Sequence, residues 1–106
     1  MVQNIEEEII QEFKRRVKTI LGDRLDRIIL FGSRSRGDAE EDSDFDFLVL
    51  VKSFADESKP SVRTIAHELS LRCDVVVTAL VVTLDDFRED RYFYLYENIK
   101  NEGKVI

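Results

Sequence analysis

Cysteine and proline occur once each in this chain of 106 residues, glycine four times and tryptophan not at all. The single cysteine excludes an intrachain disulfide and suits a reducing cytoplasm. So little proline and glycine argues against a disordered or low-complexity chain. No apolar run approaches the roughly 18 residues of a membrane span. The start, Met1-Val2-Gln3-Asn4-Ile5-Glu6-Glu7-Glu8, lacks the basic stretch of a secretory signal. A basic excess is missing too: 16 Lys and Arg face 22 Asp and Glu, a net charge of −6. Proteins that hold DNA or RNA unaided need a basic footprint, so a stable stand-alone nucleic-acid complex is not expected. A small charged substrate that arrives with Mg²⁺ is compatible, because the cation reverses the local field. The length fits one domain, residues 1–106.

What the chain does have is periodicity. Ile5, Ile9, Ile10, Phe13, Val17, Ile20 and Leu21 form a helical stripe, with Asn4 as cap, Glu7 at the capping-box position and Gly22 as stop. Leu25 to Phe31 reads as a buried strand, and Gly32 to Ser43 as a loop with room for a short helix. Phe45 to Val51 is a second strand, apolar enough to be covered on both faces. A helix from about Pro60 to Arg72 turns Val62, Ile65, Ala66 and Leu69 inward, and Cys73 to Leu80 reads as a third strand. Thr83 can cap a last helix through about Asn101, closed by Gly103, and Lys104-Val105-Ile106 can add an edge strand. The connection between the first two strands is too short for a crossover helix, so they pair antiparallel. The fold class is α+β: a small mixed sheet of three or four strands with helices packed on it in two layers.

The most informative feature is Gly32-Ser33, then ten residues, then Asp44-Phe45-Asp46, each half flanked by an apolar run. A tight turn after a strand offers backbone N–H groups and a hydroxyl to a phosphate. Two carboxylates at i and i+2 of a strand share a face and repel unless a cation lies between them. Mg²⁺ suits oxygen ligands plus substrate phosphates. Asp74, an acid in an apolar run, is costly unless paired or metal-bound. If the third strand lies beside the second, Asp74 completes a three-carboxylate cluster able to hold two Mg²⁺ ions for an in-line displacement. Asp-x-Asp alone is common among so many acids; the joined pattern is what carries weight. Gly32 and Gly37 also have P-loop spacing, but Asp38-Ala39 stands where Lys-Ser/Thr belongs, which rejects that reading.

Gly32-Ser33-Arg34-Ser35-Arg36-Gly37-Asp38, Asp42-Ser43-Asp44-Phe45-Asp46 and Cys73-Asp74-Val75-Val76 closely resemble the minimal nucleotidyltransferases of the DNA polymerase β-like superfamily. The resemblance implies the nucleotidyltransferase fold and transfer of a nucleoside monophosphate, AMP in the first instance, from Mg²⁺-ATP or a related triphosphate to a hydroxyl. It also implies an antitoxin paired with a HEPN-domain ribonuclease toxin, some such antitoxins adenylylating a tyrosine of the toxin. In that scheme Gly32 lets the backbone approach the triphosphate and Ser33 donates to a terminal phosphate. Asp44 and Asp46 bridge the metals, and Asp74 binds the metal near the attacking hydroxyl and helps to deprotonate it. Arg34 and Arg36 steady phosphate or acceptor, or are surface pairs for the neighbouring acids.

The chain leaves little beyond the metal-binding core, so the acceptor is expected on, or presented by, a partner protein. Leu84, Phe87, Tyr94, Leu95 and Ile99 form an inward stripe on the last helix, while Tyr92, Phe93 and Tyr96 fall away from it as a contact surface or as residues covered by the same chain. Two rivals stand beside catalysis on a partner: neutralisation of a toxin by masking alone, and transfer to a small molecule, for which the usual extra helical domain is missing. Homo- or hetero-oligomers are compatible with the sequence. His67 has no ligand at metal spacing, Cys73 reads as a small core residue, and Lys14, Arg15, Arg16 and Lys18 as a solvated helix face.

Overall fold

In a computed structural model, residues 5–32, 44–53, 58–89, 97, 99 and 101–106 are described. Helix α1 (Ile5–Leu21) leads through a short 3₁₀ turn at Gly22–Arg24, where Gly22 has a positive φ of 55°, into strand β1 (Leu25–Phe31). Strand β2 (Phe45–Val51), helix α2 (Ser58–Cys73), strand β3 (Val77–Thr83), helix α3 (Leu84–Arg88) and strand β4 (Lys104–Val105) follow. The sheet order is β3-β2-β1-β4. β1 is antiparallel to β2 and to β4, whereas β2 and β3 run parallel, so the sheet is mixed as expected.

The period-2 pattern of β2 divides the core. Phe45, Phe47, Val49 and Val51 face α1 and α2, where they meet Ile9, Phe13, Val17, Val62, Ile65 and Leu69. Phe13 stacks on Phe47 with ring centroids 4.1 Å apart, which fixes α1 on the middle of the sheet. Leu48 and Leu50 face the other way, onto Ile29, Val82 and Ile99, with Phe31, Leu84 and Phe87 packed at the margin. Both faces of β2 are therefore covered, as its unbroken apolar run requires. Arg16 reaches Glu68, and Arg15 pairs with Glu12 at 2.6 Å, so both arginines of the basic face of α1 are ion-paired. Ile20 departs from its stripe: it is 47% exposed, whereas Val17 and Leu21 are buried.

Two expectations about boundaries fail. The third strand begins at Val77, not Cys73, because α2 continues through Cys73 and Asp74 turns the chain with φ 54°. The Ser70 hydroxyl fixes that junction: it donates to the Ala66 carbonyl and accepts from the Val77 N–H, both at 2.9 Å. The last helix is also not continuous. Thr83 caps it, accepting from the Asp86 N–H, but α3 stops at Arg88, where the Glu89 N–H returns to the Asp85 carbonyl. Glu97, Ile99, Asn101 and Glu102 are again helical, and the Gly103 N–H bonds the Ile99 carbonyl. Asn4 and the aromatic run Tyr92, Phe93, Tyr94, Leu95 and Tyr96 lie outside the described residues.

Candidate active site

The pairing of β1 with β2 builds the site. Phe31, the last residue of β1, lies opposite Asp46, so Gly32 follows at the level of that carboxylate. Gly32 has φ 81°, a left-handed conformation that disfavours any side chain. A Cβ built on Gly32 would stand 2.7 Å from Asp46 Oδ2. Glycine is thus required here twice, once by the turn and once by the acid beside it. The sequence assigned Gly32 to backbone approach toward a triphosphate; in the structure it also makes room for Asp46.

Asp46 is half-buried, flanked on the same sheet face by Phe31 of β1 and Thr78 of β3, its register partners. Asp44, exposed, stands two residues earlier, just before β2. Burial, and then the neighbouring Asp44 charge, push the Asp46 carboxyl above its usual range. Among the described residues no cationic side chain pairs with either acid. A cation between Asp44 and Asp46 would relieve that repulsion, and a two-carboxylate donor set completed by substrate phosphate matches the way Mg²⁺ is commonly held.

Asp74 does not join them in one cluster. β3 does lie beside β2, but Asp74 precedes the strand, is exposed, and sits in the turn after α2. The β3 residue level with Asp46 is Thr78, and Phe45 takes its first bond across the pair from the Val76 carbonyl. Among the described residues no group of three His, Cys, Asp or Glu is placed to hold a metal ion. Among the described residues, Asp44 and Asp46 stand together at the start of β2, and Asp74 is not grouped with them. Ser33, Arg34 and Arg36 lie outside the described residues. Phe31 and Thr78 were not singled out from sequence; only the strand register, which one sequence does not display, puts them beside Asp46.

Comparison with known proteins identifies the family and the fold. A protein of Methanocaldococcus jannaschii, provisionally named a protein adenylyltransferase, is 47% identical over 75 residues, which is 70% of this chain and 76% of that protein. A second protein of the same organism, with the same provisional name, is 34% identical over 101 residues, 95% of this chain and 97% of its own length. Among solved structures, one of the tri-AMPylated Shewanella oneidensis HEPN toxin in complex with MNT antitoxin matches with a TM-score of 0.55 and 24% identity, over 94% of this chain and 66% of that one. At that identity the likeness concerns the fold. Residues 7–106 match the family described as nucleotidyltransferase domain. The chain accordingly belongs to the nucleotidyltransferase domain family and is a nucleotidyltransferase.

Proposed function

We propose that this enzyme transfers AMP from Mg²⁺-ATP to a hydroxyl, that of a tyrosine on a HEPN-domain toxin, and so acts as the toxin's antitoxin in the cytoplasm. The observation that carries the reading is the contact between Gly32 and Asp46: the space a Cβ would fill is the space that lets a carboxylate and a backbone turn face one substrate. The provisional name of the two M. jannaschii relatives supports adenylyl transfer to protein, and the HEPN complex supports the choice of partner.

In this scheme Asp44 and Asp46 hold the divalent cation. When bound, that cation neutralises charge on the triphosphate and on the departing pyrophosphate. Asp46, flanked by Phe31 and Thr78, is fixed by the strand, whereas Asp44 stands at the solvent edge where nucleotide enters. The Gly32 turn brings backbone up to the phosphates, with Ser33 donating its hydroxyl and Arg34 and Arg36 contributing charge. Asp74, on the turn before β3, is assigned to the rim of the site, where it meets the acceptor rather than the shared cation.

The test is incubation of the protein with labelled ATP, Mg²⁺ and a HEPN protein encoded beside it. Label should appear on the toxin, and a Tyr→Phe change in the toxin should remove it. Asp44→Asn and Asp46→Asn should each cut labelling by at least about a hundredfold while far-UV circular dichroism stays unchanged. Full labelling by either folded variant would refute the assignment.

A further inference from the structure

The two edges of the sheet are unlike. β4 is two residues long and carries Lys104, a short charged edge of the kind that resists pairing with other chains. β3 is seven residues, Val77-Thr78-Ala79-Leu80-Val81-Val82-Thr83, with no charge, proline or glycine. It is bonded to β2 along its whole length on one side, and among the described residues no strand pairs with the other. Leu80, at its centre, is 38% exposed, and Val76 just before it 54%. None of the usual protections of an edge strand is present in its sequence.

The charges around β3 are arranged end to end. At its N-terminal end an open groove of about 390 Å³ runs between α2 and the strand, lined by Arg63, His67, Ser70, Val76, Thr78 and Ala79. Arg63 and His67, one helical turn apart, are both exposed. Immediately after the C-terminal end come Asp85 and Asp86, in the first turn of α3.

We propose that β3 is the seam of a homodimer, pairing antiparallel with β3 of a second copy about a twofold axis at Leu80. Leu80 then meets Leu80, Ala79 meets Val81, Thr78 meets Val82 and Val77 meets Thr83, so that no charge lies opposite a like charge within the strand. The same symmetry carries Asp85 and Asp86 of each copy toward the end of the other that bears Arg63 and His67 together with the exposed Asp74, twice, so that the two basic side chains there face three acids. A parallel alignment would set like ends together, so the charge pattern selects the antiparallel one. Such an interface is self-complementary, as a twofold dimer requires, and joins two four-stranded sheets into one.

Sedimentation equilibrium of the full chain tests this. The wild type should sediment at twice the monomer mass at about 100 µM. Leu80→Lys places two lysines face to face on the axis and should give a monomer with an unchanged far-UV spectrum. Arg63→Glu, on an exposed helix face, should weaken association by about tenfold or more, and adding Asp85→Lys should restore it. A monomeric wild type at that concentration overturns the proposal, including the case in which β3 serves a different protein instead. So does a dimer that survives Leu80→Lys, or a charge-swapped pair that fails to recover.

Discussion

Asp44-Phe45-Asp46-Phe47-Leu48 and Asp74-Val75-Val76-Val77-Thr78 are similar as strings: an acid, then apolar residues. In the structure the first enters its strand at once, and Asp46 is held half-buried against Gly32. The second begins in a left-handed turn, with Asp74 exposed and the strand starting three residues later. The difference lies in what comes before each. Asp44 stands immediately before β2, which begins at Phe45. Asp74 follows a helix whose end needs a residue able to take positive φ, and aspartate is among the few that tolerate it. An acid at the mouth of an apolar run is therefore carried on the sheet only where the strand begins beside it.

The comparison can be broken most severely at Gly32. Gly32→Ala should destabilise the protein by roughly 1–2 kcal/mol from backbone conformation alone, with a further loss from the Asp46 clash, and should abolish transfer. Adding Asp46→Ala should return part of the stability, measured as a coupling in urea unfolding. If the two changes are additive, the contact between turn and acid is not what fixes the site. At the other junction, Ser70→Ala leaves the Val77 N–H without its partner and should cost about 1–2 kcal/mol with little change in rate per folded molecule.

Asp46 should make stability depend on pH. Asp46 has a carboxyl pKa raised in the folded protein, so the native state holds that proton more tightly than the unfolded chain. The resulting stabilisation is present below the unfolded carboxyl range and is lost as pH rises through the folded pKa. In metal-free protein Asp46→Asn should therefore melt higher than wild type at neutral pH, with the gap closing at about pH 4 and below. Equal melting temperatures across that range would deny the strain at the pair. The smallest effect is expected at Asp74→Gly, which relieves a positive φ and should add up to about 1 kcal/mol of stability.

These contrasts also show what could be read from residues alone. The limits of α1, β1 and β2 were legible because Gly22 and the change of period from 3.6 to 2 mark them. The antiparallel β1–β2 pair followed from the short connection between them, and the mixed sheet was expected with it. The start of β3 was not legible, since Val75, Val76 and Val77 suit a strand equally and the Ser70 tie that decides among them spans seven residues. Nor was the neighbourhood of Asp46: Phe31 and Thr78 come beside it only through register. The break after Arg88 was hidden as well, because the stripe Leu84, Phe87 and Ile99 continues in contact although the helix does not.

The central claim is that the cation is held by Asp44 and Asp46 at the Gly32 turn and does not need Asp74. Calorimetric titration of Mg²⁺ into the protein with a non-hydrolysable ATP analogue, on wild type, Asp46→Asn and Asp74→Asn in parallel, addresses it directly. The account predicts that Asp74→Asn binds within about threefold of wild type while Asp46→Asn loses affinity by about a hundredfold. Equal losses in the two variants would contradict it and return Asp74 to the metal.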